Sequence, residues 1–194
     1  MEAQMEHRHP IGLIVTDDLK RNRLTVFFRL LLAIPQSIWL TIWGIVVQIA
    51  VIVAWFAALF TGRVPDGLHA FIARYVRAVT HLEAYLFLLA DPWPPFTGER
   101  GYPVDLRIDD AAPQNRLSVL FRLLLAIPAL VLTYVFRLVN EVVAFLGWFY
   151  ALGLGRMHKG MRDLSLWLTR YEVQTLAYLF LLTSRYPSLE NAPT

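Results

Sequence analysis

The chain has 194 residues, is 57% hydrophobic but only 17% charged, and contains no cysteine. A soluble domain is usually about half apolar and a quarter charged, so the composition excludes a disordered chain, a disulfide-stapled secreted domain and an ordinary solvent-exposed enzyme. Lys+Arg 18 against Asp+Glu 15 leaves a net charge of +3 with a mean hydropathy of +0.48, which suits contact with anionic lipid; no Lys/Arg run interleaved with aromatics points to nucleic acid.

Met1 to Pro10 is polar and of mixed charge, without the apolar core and small-residue cleavage site of a signal peptide. The first apolar stretch is therefore expected to insert and stay. His7 and His9 in this tail, with Glu6 beside them, read as terminal residues rather than as a metal site.

The most informative feature is internal. Asn22-Arg23-Leu24-Thr25-Val26-Phe27-Phe28-Arg29-Leu30-Leu31-Leu32-Ala33-Ile34-Pro35 recurs as Asn115-Arg116-Leu117-Ser118-Val119-Leu120-Phe121-Arg122-Leu123-Leu124-Leu125-Ala126-Ile127-Pro128, an offset of 93. Without a gap, the same offset pairs Trp55 with Trp148, Gly62-Arg63 with Gly155-Arg156, and Ala84-Tyr85-Leu86-Phe87-Leu88-Leu89 with Ala177-Tyr178-Leu179-Phe180-Leu181-Leu182. Chance likeness between apolar segments would not keep Arg, Pro, Gly and Trp in register. The chain is two copies of one unit. A polar tail over 1–9, repeat 1 over 10–97, a linker over 98–102, repeat 2 over 103–188 and a tail over 189–194 follow.

Each repeat opens on a strand-like stretch, Ile11–Val15 and Val104–Asp109, the second alternating apolar and charged residues with period two. Two such strands can pair and satisfy each other's backbone. Asn22 and Asn115 are suited to helix N-caps. From Leu24 to Phe60 Arg29 is the only charge, and these 37 residues would make a helix about 55 Å long, against a hydrocarbon core about 30 Å thick. Pro35 is expected to divide it into an interfacial helix over 22–34 and a crossing helix over 36–60, with Gly62 as C-cap. Residues 129–154 form the corresponding crossing helix of repeat 2.

The return segments, 66–90 and 159–183, are long enough to span and less apolar, and a second crossing is the favoured reading. Arg74, Arg77 and His81 fall on one helical face. Two crossings per repeat give parallel repeats, with both termini on the side richer in Lys and Arg, the cytoplasm. The expected fold is thus all-α and membrane-integral: two parallel tandem repeats of interfacial helix, transmembrane helix and amphipathic return helix, with a short strand pair on the cytoplasmic side.

The repeated Asn-Arg-Leu-x-x-x-Phe-Arg-Leu-Leu-Leu-Ala-Ile-Pro run, Thr-Gly-Arg-x-Pro at 61–65 and Tyr-Leu-Phe-Leu-Leu before Asp-Pro-x-Pro-Pro-Phe together resemble an uncharacterised bacterial integral-membrane family catalogued as domain of unknown function 4389. The resemblance covers about 10–188, once per repeat. It implies a small multi-helix inner-membrane protein similar to a fused dimer of the unit, and implies no catalytic residues. Repeat 2 departs from the pattern, with Met157-His158 in place of Val64-Pro65 and Arg185-Tyr186-Pro187-Ser188 in place of the Pro-Pro-Phe ending.

Arg29, Arg122, Arg63, Arg156, Arg77 and His81 are the candidate lipid or headgroup contacts, the first two because a lone arginine in an apolar segment snorkels toward phosphate. Arg137, Asn140 and Glu141 form an intramembrane polar cluster that repeat 1 lacks, where Gly44, Val47 and Gln48 stand; ionisable groups at that depth are costly and mark function or helix-pairing glue. No nucleophile elbow, phosphate loop, His-Glu-x-x-His or metal-spaced cluster is present. The expected function is therefore non-enzymatic, without cofactor or metal: a membrane scaffold or accessory subunit binding lipid, a partner protein or further copies of itself. The alternative is a small oligomeric transporter or channel with a path through Arg77, His81, Arg137 and Glu141.

Overall fold

A computed structural model describes residues 9–190; His7 and most of both tails lie outside them. Strand β1 (Ile11–Val15) leads to α1 (Arg23–Thr61) and α2 (Asp66–Leu86); β2 (Val104–Ile108) leads to α3 (Arg116–Leu120), α4 (Arg122–Leu154) and α5 (Lys159–Leu179). Asn22 and Asn115 cap as expected, each side-chain oxygen accepting from the N–H two residues on, at 2.9 Å. Gly62 and Gly155 close the long helices with φ of 77° and 67°, conformations in which a Cβ would strain the backbone.

Pro35 does not divide the first helix. It lies within a continuous α1, and Pro128 lies within α4. Proline removes one ladder bond, but Ala33 and Gln36 on either side of Pro35 are buried against the rest of the protein, so packing holds the two halves in line. The discontinuity of repeat 2 falls earlier, at Phe121 between α3 and α4. No separate interfacial helix over 22–34 exists.

The long helices of the two repeats run in opposite directions. Trp55 near the end of α1 donates its indole N–H to Val119 O in α3, and Trp148 near the end of α4 donates to Val26 O at the start of α1, both at 2.9 Å. Arg21 N–H meets Gly155 O and Gln114 N–H meets Gly62 O. All four contacts exchange with one another under the offset of 93, so the repeats are related by a pseudo-twofold axis and α1 runs antiparallel to α4. The expected count of basic residues on two sides loses its basis, because the start of each long helix adjoins the end of the other.

The return helices form the interior: α2 packs on α1 and α5 on α4, with both meeting across the axis. His81, Thr80, Thr169 and Gln174 are buried inside the protein rather than turned to lipid or water. The expected strand pair is present, antiparallel, with Ile11 opposite Ile108 and Val15 opposite Val104. The strands are exchanged: β2 of repeat 2 rests on α2 of repeat 1, and β1 rests on α5. The architecture is thus layered, with strand pair over return helices over long helices.

The outer sides of α1 and α4 carry most of the exposed large apolar residues, from Leu30 (78% exposed) and Phe60 (71%) to Leu123 (74%). These two helices are long and apolar enough to cross a membrane, and only 22% and 17% of their most apolar stretches are buried. A core helix of a soluble protein would be mostly buried.

Candidate functional site

Three clusters gather the polar residues singled out by the sequence. In the first, Arg29 and Arg122 do not reach outward. Both are 2% exposed. Arg29 donates to Tyr85 O, to Ala90 O at 3.1 Å and to Asp91 at 3.1 Å, with its guanidinium 4.3 Å above the Tyr85 ring. Arg122 repeats this with Tyr178 O, Thr183 O at 3.0 Å, Gln114 Oε1 at 2.6 Å and the Tyr178 ring at 4.5 Å.

Tyr85 O and Tyr178 O lie in the last turns of α2 and α5, at the negative end of each helix dipole, where each also accepts the N–H of the residue three further on; Ala90 O and Thr183 O belong to the turns that follow. Directly after each helix, Leu88 and Leu181 take left-handed conformations (φ 61° and 63°) so that Leu89 N–H reaches back to Ala84 O and Leu182 N–H to Ala177 O. Both turn leucines are about 1% exposed, and that burial offsets the strain. The repeated arginine and the repeated Tyr-Leu-Phe-Leu-Leu are therefore two halves of one device that closes the return helix. Arg63 and Arg156, in contrast, sit exposed at the ends of α1 and α4, Arg63 paired with Asp66 at 2.8 Å.

The second cluster holds the strand pair down. His81 Nε2 lies 3.0 Å from Asp105 Oδ1, and Arg77 Nε lies 3.4 Å from the same oxygen and donates to Leu106 O. Asp105 also accepts from the N–H groups of Gly101 (2.8 Å) and Leu106 (2.7 Å). Burial alone would raise the Asp105 pKa, but the donors from Gly101, His81 and Leu106 outweigh it and hold it below the usual carboxylate range. Burial lowers the pKa of His81, favouring the neutral ring.

The repeat-2 counterparts use different bonds: Gln174 donates to Ile11 O and accepts from Ser188 N–H. Beside Arg77 opens a cavity of about 610 Å³ that Arg74, Glu99, Arg100 and Asp109 also line. No hydroxyl or thiol nucleophile joins the His81–Asp105 pair among the described bonds. Among the described residues, no group of three His, Asp or Glu could hold a metal ion. Asp105 escaped the sequence reading because its partners lie on another element, and the period-two pattern of its strand placed it as an outward charge.

The third cluster joins three helices. Arg137 of α4 donates to Glu83 of α2 at 2.9 Å and forms ion pairs with Glu141 at 3.6 Å and Glu172 of α5 at 3.7 Å. Asn140 donates to Thr169 Oγ1 at 3.1 Å. The Arg137 and Glu141 side chains are 46% and 55% exposed, while Glu83 and Glu172 are 15% and 5%. Burial, reinforced by nearby Glu83, pushes the Glu172 carboxyl up to about 8; burial also raises Glu83, against the pull of Arg137.

Glu83 and Glu172 were missed as members of this site. The signal was in the duplication, since the residues at their offset are Leu176 and Val79, and an unmatched charge in a repeat marks a position that the fold itself does not require. Arg77 and His81 are turned toward β2, whereas Glu83, two residues on, faces α4. The four residues expected along one path thus divide between two clusters in the chain.

The family model described as Domain of unknown function (DUF4389) matches residues 23–98 and again residues 116–189. No curated protein matches the chain, and no solved structure does. The two matched segments coincide with the two pseudo-symmetric halves of the fold, each beginning at its asparagine-capped helix. The chain belongs to the DUF4389 family and carries two tandem copies of its unit.

Proposed function

We propose that this chain is a non-enzymatic membrane protein of the bacterial inner membrane, a scaffold or accessory subunit that binds lipid and a partner protein or further copies of itself. The observation that carries this reading is the exposed surface of α1 and α4, which is predominantly apolar away from the stripe that packs on the return helices, with Arg137 and Glu141 its exposed charges on α4. Left in water, such a surface far exceeds the few hundred Å² that monomers usually expose.

The seating we favour is along one leaflet. At 39 residues α1 is about 58 Å long. Crossing a core about 30 Å thick would tilt it about 60° from the normal, beyond the usual range of up to about 40°. Its buried stripe runs from Val26 to Ala58, so the rest of the protein accompanies it over its whole length. A straight crossing would carry Arg74, Glu99, Arg100 and Asp109 to hydrocarbon depth, where each charge costs several kcal/mol. Exposed Arg63 and Arg156, at opposite ends of the layer, then meet headgroups on the same side.

The absence of cysteine makes the test direct. The chain should float with phospholipid vesicles, and single cysteines placed at Lys20, Arg63, Glu99 and Lys159 should all react with an impermeant thiol reagent from one side. Loss of flotation refutes membrane binding. Labelling of Lys20 and Arg63 positions from opposite faces instead establishes crossing. Half-exposed Arg137 and Glu141 favour the second reading, an oligomeric transporter in which a neighbouring copy covers them; Glu141→Gln would then abolish flux in liposomes without lowering expression.

A further inference from the structure

Four of the buried side-chain atoms left without a hydrogen bond are Asn140 Oδ1, Ser165 Oγ and both carboxylate oxygens of Glu172. All belong to the interface between α4 and α5. Thr133 donates to Thr175 at 3.0 Å, Arg137 pairs with Glu172 at 3.7 Å, and Asn140 donates to Thr169 at 3.1 Å. These are rungs on successive turns of two antiparallel helices, continuing to Ser165. The residues at the offset of 93 are Leu40 and Leu82, Gly44 and Val79, Val47 and Val76, and Ile72. These positions in repeat 1 are all apolar, and none of them holds a buried polar side-chain atom without a hydrogen bond. Packing in this fold does not require the ladder, and a buried carboxylate without hydrogen bonds is costly.

The charges around Glu172 do not balance. Arg137 is the one cation acting on it, while Glu83 from α2 and Glu141 from α4 add negative charge. The guanidinium is already taken by Glu83 through a direct hydrogen bond, and the Phe87 ring flanks it at 5.9 Å. Tyr75 is the remaining titratable group that feels Glu83. Three carboxylates about one guanidinium leave two negative charges in excess. From this geometry we infer that the α4–α5 seam of repeat 2 is a proton-binding site, with Glu172 as the residue that carries the proton. Protonation removes one excess charge and turns an acceptor-only group into one with a hydroxyl donor, which a seam holding the open acceptor Asn140 Oδ1 can use.

The test is a carboxyl titration of the full chain in detergent micelles, with its seven glutamates carbon-13 labelled. A glutamate signal that titrates far above the ordinary carboxylate range should disappear in Glu172→Gln and persist in Glu141→Gln. Seven signals titrating together in the ordinary carboxylate range would overturn the site, an outcome read on the wild type and so independent of whether any variant folds. If Glu172→Gln removes no high-titrating signal and Glu83→Gln removes the one observed, Glu172 is overturned as the carrier.

Discussion

Replacing Arg122 by methionine tests whether the repeated arginines serve the protein or the lipid. Methionine keeps the length and apolar stem, and removes the fork that donates to Tyr178 O, Thr183 O and Gln114 Oε1. Tyr178 O keeps the Leu181 N–H, but Thr183 O and Gln114 Oε1 are left unbonded at about 1–3 kcal/mol each, and loss of the contact over the Tyr178 ring adds about 1 kcal/mol. Relief from burying a charge offsets part of this, so the expected net loss is about 3 kcal/mol. For a domain of this size about 2–4 °C accompanies each kcal/mol, placing the melting temperature in micelles about 6–12 °C below wild type.

Arg122→Lys keeps the charge but cannot serve three acceptors in a planar fork, and should recover less than half of the loss. Affinity for anionic vesicles should not change, because the guanidinium is enclosed. A variant that melts within about 1 °C of wild type while binding anionic vesicles more weakly would refute the capping argument and restore the headgroup role. Arg29→Met should behave alike, with a slightly smaller loss, since its third acceptor, Asp91, is 30% exposed and regains water.

Glycines 44 and 67 should respond oppositely to alanine. A Cβ at Gly44 would stand 2.7 Å from the Tyr75 hydroxyl, so Gly44→Ala should lower the melting temperature by an amount equivalent to about 1–3 kcal/mol. At Gly67, within α2, nothing lies within 4 Å, and Gly67→Ala should raise stability by about 0.5–1 kcal/mol. The Glu172 carboxyl, raised from 4.5 to about 8, makes the folded state hold a proton that the unfolded chain releases. Its contribution is complete below about 4.5 and is lost as pH rises through about 8, on the order of a few kcal/mol. Wild-type melting temperature should therefore fall over this range, and the Glu172→Gln profile should be flatter. Trp148→Phe removes the indole donor to Val26 O and should cost about 1 kcal/mol, measurable by denaturant unfolding.

Local chemistry was legible along the chain. The asparagine caps, the closing glycines and the two strands each depend on residues close in sequence or on a period-two pattern, and each is where the residues placed it; the antiparallel sense of the strand pair came from the structure. The proline was misread because propensity describes an isolated helix, whereas Pro35 sits between buried contacts that hold the helix straight. Arg29 and Arg122 were misread for a similar reason: a lone cation in an apolar run implies a partner, and hydropathy does not say whether that partner is a phosphate or a helix end in the same protein.

The duplication, read from sequence alone, determined that the protein has two equivalent halves and which residues break their equivalence. It did not determine how the halves face each other, because direct and inverted arrangements use the same residues in the same order. Tertiary contacts decided that. Trp55 and Trp148 reach across the axis to Val119 and Val26, reversing α1 against α4 and exchanging the strands between repeats. The reversal follows from long-range bonds that no local pattern encodes, and it sets Glu83 of one repeat beside Arg137 and Glu172 of the other.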